Sequence, residues 1–183
     1  MLNNIDTPKY RRPSLVCLLI LAIAALSTPS LKSQGRYGAL AYEDEIRKAA
    51  RRHGIDPALV LAVVQAESAG NPYAVSKKNA RGLGQFMLYT ARTLRPDEFL
   101  TYTDLHEVET NLDLCAQHLR ELAEKVESKF ESASLKKRVF LVAAAYNSGI
   151  LEDSGAIPNI RETRTYVGRV WRYYKIFKFG SGH

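Results

Sequence analysis

The stretch from Pro57 to Met87 constrains this chain most, because an apolar segment with helical spacing runs directly into a glycine-rich turn. Val60, Val63 and Val64 recur at helical spacing, and Glu67 continues the same stripe. A stripe of this kind faces a core or the floor of a pocket. The sequence therefore predicts that the Glu67 carboxyl is partly removed from water.

The position of Glu67 at the end of this helix predicts an unusual carboxyl pKa. Gly70, Asn71 and Pro72 stop the helix just beyond it, so the negative end of the helix dipole adds to burial in disfavouring the ionised form. A carboxyl that stays protonated near neutral pH is suited to general acid catalysis. A glutamate at a helix end is also common as a solvated rim residue or in a buried ion pair, and periodicity alone leaves these alternatives open.

Residues 1–30 have the pattern of a secretory signal peptide. A cluster of cations precedes the apolar run Leu15–Leu26, and small or polar residues follow it. The run is short for a membrane span, which needs about 20 apolar residues, although an uncleaved anchor stays open as the alternative. The sequence therefore predicts export, with cleavage within residues 28–34 and no stable membrane insertion afterwards.

The charge and cysteine content exclude several classes of protein. The net charge of +7 suits an acidic partner such as the cell wall or anionic lipid, but no basic run interleaved with aromatic residues indicates nucleic-acid binding. Cys115 is the only cysteine beyond the predicted leader, which excludes an internal disulfide. The histidines have no cysteine partners at zinc-ligand spacing. We therefore expect a fold held together by its core, with no metal or cofactor.

The spacing of apolar residues predicts a mainly α-helical fold. The predicted helices span residues 42–53, 57 to the stop at 70, 90–94, 111–130, 135–148 and 162–177. Strand signals are almost absent, so at most a small β excursion is expected near residues 82–86. The predicted order is a signal peptide at 1–30, a linker at 31–41, a single α domain at 42–177 and a tail at 178–183.

Four sequence blocks follow one another after the leader. They are Glu67-Ser68 with Asn71-Pro72 and Ser76, then Gly82–Met87 with Thr90-Ala91, then Ala145–Gly149, then Glu162–Val167. Each block is weak alone, but in this order and spacing they resemble the lytic transglycosylases with the soluble-transglycosylase (SLT) type of catalytic domain, in the lysozyme-like superfamily. The resemblance runs from about Tyr42 to Tyr174 and implies a single lysozyme-like α domain.

The resemblance implies roles for individual positions. Glu67 matches the family's single catalytic acid/base. The other matched positions are expected to bind the sugar or form the cleft wall: Ser68, Ser76, Gln85, Met87, Tyr146, Asn147, Glu162 and Tyr166. The residues themselves leave plainer roles open, because Tyr146 also continues an apolar stripe and Glu162 suits a helix N-terminus.

The chain departs from the family pattern near the predicted site. The family often has Met at the position of Gly84 and Gly at the position of Cys115, and His118 stands where it has Tyr. We expect Gly84 to widen a subsite next to Gln85, and the other two departures to be structural.

The substrate that the resemblance implies is peptidoglycan, cut at the β-1,4 bond between N-acetylmuramic acid and N-acetylglucosamine. Most glycosidases place two carboxylates at the bond, whereas this sequence offers one well-placed acid. In the family the substrate's own acetamido group assists. Glu67 is then expected to protonate the leaving oxygen and afterwards to deprotonate the C6 hydroxyl, giving a 1,6-anhydro end.

Two alternatives stay open. A muramidase would use water in place of the C6 hydroxyl and would leave reducing ends. A non-catalytic accessory of a secretion or conjugation apparatus would keep the cleft only for docking on the wall, and an active enzyme would serve such an apparatus by opening the wall. The predicted location in each case is the periplasm or cell envelope.

Overall fold

Helices form nearly all the regular structure that the computed structural model describes, which covers residues 37–180. The predicted signal peptide and most of the predicted linker lie outside the described residues. The helices are α1 (Glu43–His53), α2 (Pro57–Glu67), α3 (Leu88–Leu94), α4 (Val108–Lys129), α5 (Leu135–Ser148) and α6 (Arg161–Phe179). Short 3-10 helices, Gly38–Tyr42 and Asp104–His106, precede α1 and α4. The predicted mainly α-helical fold is confirmed.

Several helix ends follow signals in the sequence. The Asp56 carboxylate accepts a hydrogen bond from a backbone N–H of the first turn of α2, at 3.0 Å, and Pro57 takes the first helical position. Ser134 caps α5 in the same way, and Gly149 closes it with a φ of 72°. The starts of α3 and α4 lie before the predicted ones, because neither has a capping side chain that marks it.

Helix α2 is the centre of the fold. Every side chain from Ala58 to Val64 is buried, and the helix packs against α1, α4 and α6. A helix that is apolar all round belongs inside a core, so the predicted valine stripe is one side of a helix enclosed on all sides. Neither α2 nor any other helix within residues 37–180 has the length and apolar character to cross a membrane.

Residues 68–87 form an irregular loop between α2 and α3. Its backbone pairs through isolated antiparallel bridges that join Arg81 to Val75 and to Phe86, and these are the small β excursion predicted near residues 82–86. Gly82 has a φ of 77°, and a Cβ there would lie only 2.1 Å from the carbonyl oxygen of Leu105. Both the conformation and the space at this turn therefore require glycine.

Asn111 fastens this loop to α4. Its buried side chain accepts a hydrogen bond from the N–H of Gly84 (2.7 Å) and donates to the carbonyls of Leu105 (2.7 Å) and Arg81 (3.1 Å). One amide therefore satisfies three backbone groups that have no regular strand to pair with. The loop keeps its shape because of this side chain more than through its own backbone pairing.

We expect Asn111→Ala to lower the free energy of unfolding by about 3 kcal/mol, since buried backbone groups would lose their partners. Urea denaturation followed by circular dichroism measures this value. Asn159→Ala is the matched control, because the Asn159 side chain makes one exposed hydrogen bond, to Arg164. Equal stabilities of the two variants would show that Asn111 does not hold the loop.

Candidate active site

A cleft of about 770 Å³ lies at the C-terminal end of α2, bounded by the loop 68–87 and by α4, α5 and α6. Glu67 lines it together with six of the predicted binding residues: Ser76, Gln85, Met87, Tyr146, Asn147 and Glu162. The fold thus gathers residues from all four sequence blocks around one cleft. A smaller cavity of about 460 Å³, around Tyr73, Arg81 and Tyr102, contains none of the predicted site residues.

Glu67 is the last residue of α2 and carries the most perturbed carboxyl of the cleft. Burial raises its pKa to about 7, while the hydroxyl of Tyr166 and the charge of Arg169 act to lower the pKa. The negative charge of Glu162 adds to the effect of burial. The group is therefore poised to give up and take back a proton near neutral pH, and the predicted upward shift is confirmed.

Tyr166 lies against this acid and not in the cleft wall. Its side chain is 1 % exposed, and its hydroxyl interacts with the Glu67 carboxyl. The contact does not meet hydrogen-bond geometry, and no other group among the described residues pairs with this hydroxyl. Because a buried hydroxyl without a partner is unusual, the Tyr166 O–H is available to the carboxylate whenever Glu67 loses its proton.

The polar residues of the loop are partly occupied by the protein itself. Ser68 is not in the cleft wall, and its hydroxyl closes the end of α2. Ser76 Oγ accepts from two backbone N–H groups of its own turn, at 3.0 and 3.2 Å. Gln85 Nε2 donates to two loop carbonyls, at 2.9 and 3.1 Å. These bonds leave the Ser76 hydroxyl proton and the Gln85 amide oxygen for a ligand.

Tyr146 and Asn147, at the end of α5, are held in position by hydrogen bonds to neighbouring elements. The Tyr146 hydroxyl donates to the carbonyl of Gly84 at 2.8 Å, which links α5 to the loop. The Asn147 side-chain oxygen accepts from the hydroxyl of Thr163 at 2.9 Å, which links α5 to α6. Both side chains therefore line the cleft in positions that neighbouring elements hold.

Gly84 does not enlarge the cleft as expected. It is buried, and a Cβ at this position would lie 3.0 Å from atoms of both Phe86 and Tyr146 and 3.2 Å from Cys115 Cβ. Relative to the family pattern, the loop loses a side chain at position 84 and α4 gains one at Cys115, which reaches into the same space. Cys115 therefore compensates in part for the side chain that is missing at position 84.

Several residues around the site were not predicted from the sequence to line it. Helix α4 contributes His118, Leu122 and Lys125 to the cleft wall, and burial lowers the pKa of His118, which keeps its imidazole neutral. His118 was expected to be structural only, and no local signal indicated Leu122 or Lys125, because helical spacing shows only which side faces the core. Arg169 was also missed, although its position three residues after Tyr166 places it near the same side of α6.

The cleft contains one carboxylate besides Glu67. This is Glu162, which is exposed at the start of α6. The two acidic residues that follow the second block, Asp97 and Glu98, do not line the cleft, and Glu98 pairs with Arg95 at 3.5 Å. No cluster of His, Cys, Asp or Glu within residues 37–180 could hold a metal ion.

The raised pKa of Glu67 predicts a pH-dependent cost to stability. A carboxyl with a folded pKa of about 7 and an unfolded value near 4.5 binds its proton more tightly in the folded state. Stability therefore falls as pH rises between these values. We expect Glu67→Gln to stabilise the protein by about 2–3 kcal/mol at about pH 8, and by less than about 1 kcal/mol at about pH 5.

Urea denaturation of the wild type and of Glu67→Gln at both pH values tests this expectation. Glu162→Gln is the control, since Glu162 is exposed in the same cleft. An equal effect of Glu67→Gln at both pH values would contradict the raised pKa.

Comparison with known proteins supports the resemblance in sequence and in fold. A family model for the transglycosylase SLT domain matches residues 44–166. A protein named membrane-bound lytic murein transglycosylase C, from Haemophilus influenzae, is 32 % identical over 149 residues, which are 77 % of this chain and 40 % of that protein. The chain thus spans less than half of the curated relative that it matches.

Two solved structures share the fold. An inactive glutamate-to-glutamine mutant of the lytic transglycosylase Slt from Pseudomonas aeruginosa aligns with a TM-score of 0.60 and 26 % identity, over 75 % of this chain and 24 % of that one. The 70 kDa soluble lytic transglycosylase from Escherichia coli aligns with a TM-score of 0.65 and 24 % identity, over 77 % of this chain and 24 % of that one. The predicted lysozyme-like fold is confirmed, and because the family model covers most of the chain, this protein belongs to the transglycosylase SLT domain family.

Proposed function

We propose that this protein is a lytic transglycosylase that cleaves the β-1,4 bond between N-acetylmuramic acid and N-acetylglucosamine in peptidoglycan and leaves 1,6-anhydro ends. One observation carries the proposal. Glu67, with a pKa of about 7, lines a cleft whose only other carboxylate is an exposed one. The inactive glutamate-to-glutamine mutant of the Pseudomonas aeruginosa relative agrees with a catalytic glutamate in this family.

The reaction would need one group that acts first as acid and then as base. Protonated Glu67 gives its proton to the glycosidic oxygen as the bond to C1 breaks, and the acetamido oxygen of the muramic residue stabilises the positive charge at C1. The Glu67 carboxylate then takes the proton of the C6 hydroxyl while that oxygen bonds to C1. No water is consumed, and Glu67 ends as it began, protonated.

The surroundings of Glu67 suit both steps. Burial favours the protonated form before cleavage, and the Tyr166 hydroxyl and Arg169 stabilise the carboxylate that cleavage leaves behind. The C6 hydroxyl is tethered to the reacting sugar, so its effective concentration greatly exceeds that of an untethered nucleophile. A hydrolase would need a second carboxylate to activate water, and Glu162 is the one candidate in the cleft.

We also propose that the protein works in the cell envelope, where its substrate lies. The relative from Haemophilus influenzae carries the description membrane-bound, and the pattern of residues 1–30 predicts export. That the protein opens the wall for a secretion or conjugation apparatus stays a prediction. Crosslinking in intact cells followed by purification would identify such a partner.

The products of sacculus digestion test the proposed function. We expect the wild type to release muropeptides with 1,6-anhydro ends, which are lighter than hydrolysed ends by one water and resist reduction by borohydride. Mass spectrometry with and without borohydride distinguishes the two. Glu67→Gln is expected to release none while still binding sacculi, because the change keeps the shape and removes the proton relay.

Each other outcome would reject a part of the proposal. Predominantly reducible ends would make the protein a muramidase, with Glu162 as the first candidate for the second carboxylate. Release by Glu67→Gln at the wild-type rate would remove Glu67 from the chemistry. Sacculus binding without any release by the wild type would indicate a wall-binding accessory.

Tyr166→Phe tests the positioning of the acid. The Tyr166 hydroxyl lowers the pKa of Glu67, so its loss should raise that pKa and move the pH profile of cleavage to higher pH. Tyr174→Phe is the matched control. It removes another hydroxyl from α6, one that donates a hydrogen bond to Asp56 at 2.9 Å and not to Glu67. Carbon-13 NMR of the Glu67 carboxyl measures the pKa directly, and an unchanged value in Tyr166→Phe would contradict the interaction.

A further inference from the structure

The excess positive charge of the chain is concentrated on two neighbouring helices. Helices α5 and α6 together carry nine Lys and Arg residues against a single carboxylate, Glu162, a net charge of +8. The whole chain carries +7, so the remainder is close to neutral. Soluble proteins usually intersperse both signs over their surface, which makes this segregation unusual.

The charges of α6 point away from the core. Four of these cations, all exposed, lie within less than half of the helix circumference: Arg161, Arg164, Arg172 and Lys175. No described carboxylate forms a salt bridge with any of them. Arg172 lies over the ring of Tyr173 instead, at 5.2 Å. The mutual repulsion along this outer face is thus not neutralised within the described part of the protein, and an anionic partner would relieve it.

Aromatic side chains accompany the charges at the end of α6 farther from the cleft. Phe179 is 61 % exposed and its ring packs edge-on against Tyr174, while the half-buried rings of Tyr173 and Phe177 stack on each other with centroids 6.4 Å apart. The apolar side of α6 is buried in the protein core, but a cluster of cations with aromatic residues nearby is typical of surfaces that meet anionic lipid headgroups. A polyanionic wall polymer would be matched by the cations alone, so the aromatic residues favour lipid.

The entry of the N-terminal segment points to the same end of α6. Tyr37, the first described residue, packs edge-on against Tyr173 and Phe177 at 6.0 and 5.4 Å. The apolar run Leu15–Leu26 ends 11 residues before Tyr37 in the sequence. A fully extended chain of this length reaches at most about 40 Å. Any contact of that run with a membrane, before cleavage or without it, would hold this end of α6 close to the lipid.

We propose that the outer face of α6, defined by the exposed cations Arg161, Arg164, Arg172 and Lys175 and by Phe179, binds the anionic headgroups of a phospholipid bilayer. Glu162 lines the cleft at one end of this helix, and Phe179 lies about 25 Å farther along its axis. This surface is separate from the catalytic proposal and does not depend on it.

The single tryptophan of the chain makes the test specific, because Trp171 lies on α6 beside Lys175. The full-length protein is titrated with phosphatidylcholine vesicles, with or without phosphatidylglycerol, that carry a nitroxide on the headgroup. We expect quenching of Trp171 only by the anionic vesicles and its loss at high salt. The variant R161Q/R172Q/K175Q should need about 100-fold more lipid for half-maximal quenching, from the usual contribution of a cation near a charged surface.

The matched control is R47Q/R51Q/R120Q, which removes the same charge from α1 and α4. This control should be quenched like the wild type. If the triple variant lacks the circular dichroism of a helical protein, the double variant R172Q/K175Q replaces it, with an intermediate loss of quenching expected. Equal quenching of the triple variant and the control would overturn the proposal, as would equal quenching by neutral vesicles. A triple variant that loses binding to sacculi but keeps quenching by anionic vesicles would assign this face to the wall instead.

Discussion

The removal of the Glu67 carboxyl from water is the constraint on which the rest of the structure depends. Burying a carboxylate without full compensation costs several kcal/mol. In this fold part of that cost is expressed as a raised pKa, so that the Glu67 carboxyl is close to half-protonated near neutral pH. Helix α2 is buried in the core and carries the Glu67 carboxyl at its end, away from water. The Tyr166 hydroxyl and the charge of Arg169 offset the effect of this burial on the carboxyl pKa only in part. Full pairing of the Glu67 carboxylate with cations and hydrogen-bond donors would have stabilised the protein, but it would also have kept the carboxyl ionised and unable to donate a proton.

The wall formed by the loop 68–87 depends on a second constraint, because its backbone lacks a sheet. Asn111 supplies the partners that a neighbouring strand would otherwise provide. Gln85, in the cleft wall, has a φ of 53°, a conformation that residues other than glycine rarely adopt. Strain of this kind persists where the surroundings impose it, and here the bonds from its side chain to the loop carbonyls do so.

Helix α6 combines three physical environments along one segment. Its inner side, with Val167, Val170 and Tyr174, is core, and its first turns carry Tyr166 and Arg169 to the acid. Its outer side carries the cations that give the chain its basic character. Because side chains three and four residues apart share a face, one helix connects the core, the candidate active site and a charged surface.

The sequence by itself determined the helical class, the capped ends of α2 and α5 and the glycine turn, because these rest on spacing and on local backbone chemistry. Its prediction of Glu67 as the acid came from the resemblance to the family, since spacing alone left other roles open. The widened subsite expected from Gly84 was wrong, since Phe86, Tyr146 and Cys115 fill the space around it, and Cys115, 31 positions later, compensates in part for the missing side chain. Only the tertiary structure decided that compensation, the approach of α4 to the cleft and the balance of burial against Tyr166 that sets the Glu67 pKa. Each of these depends on distances between residues that are remote in the chain, and periodicity contains no information about such distances.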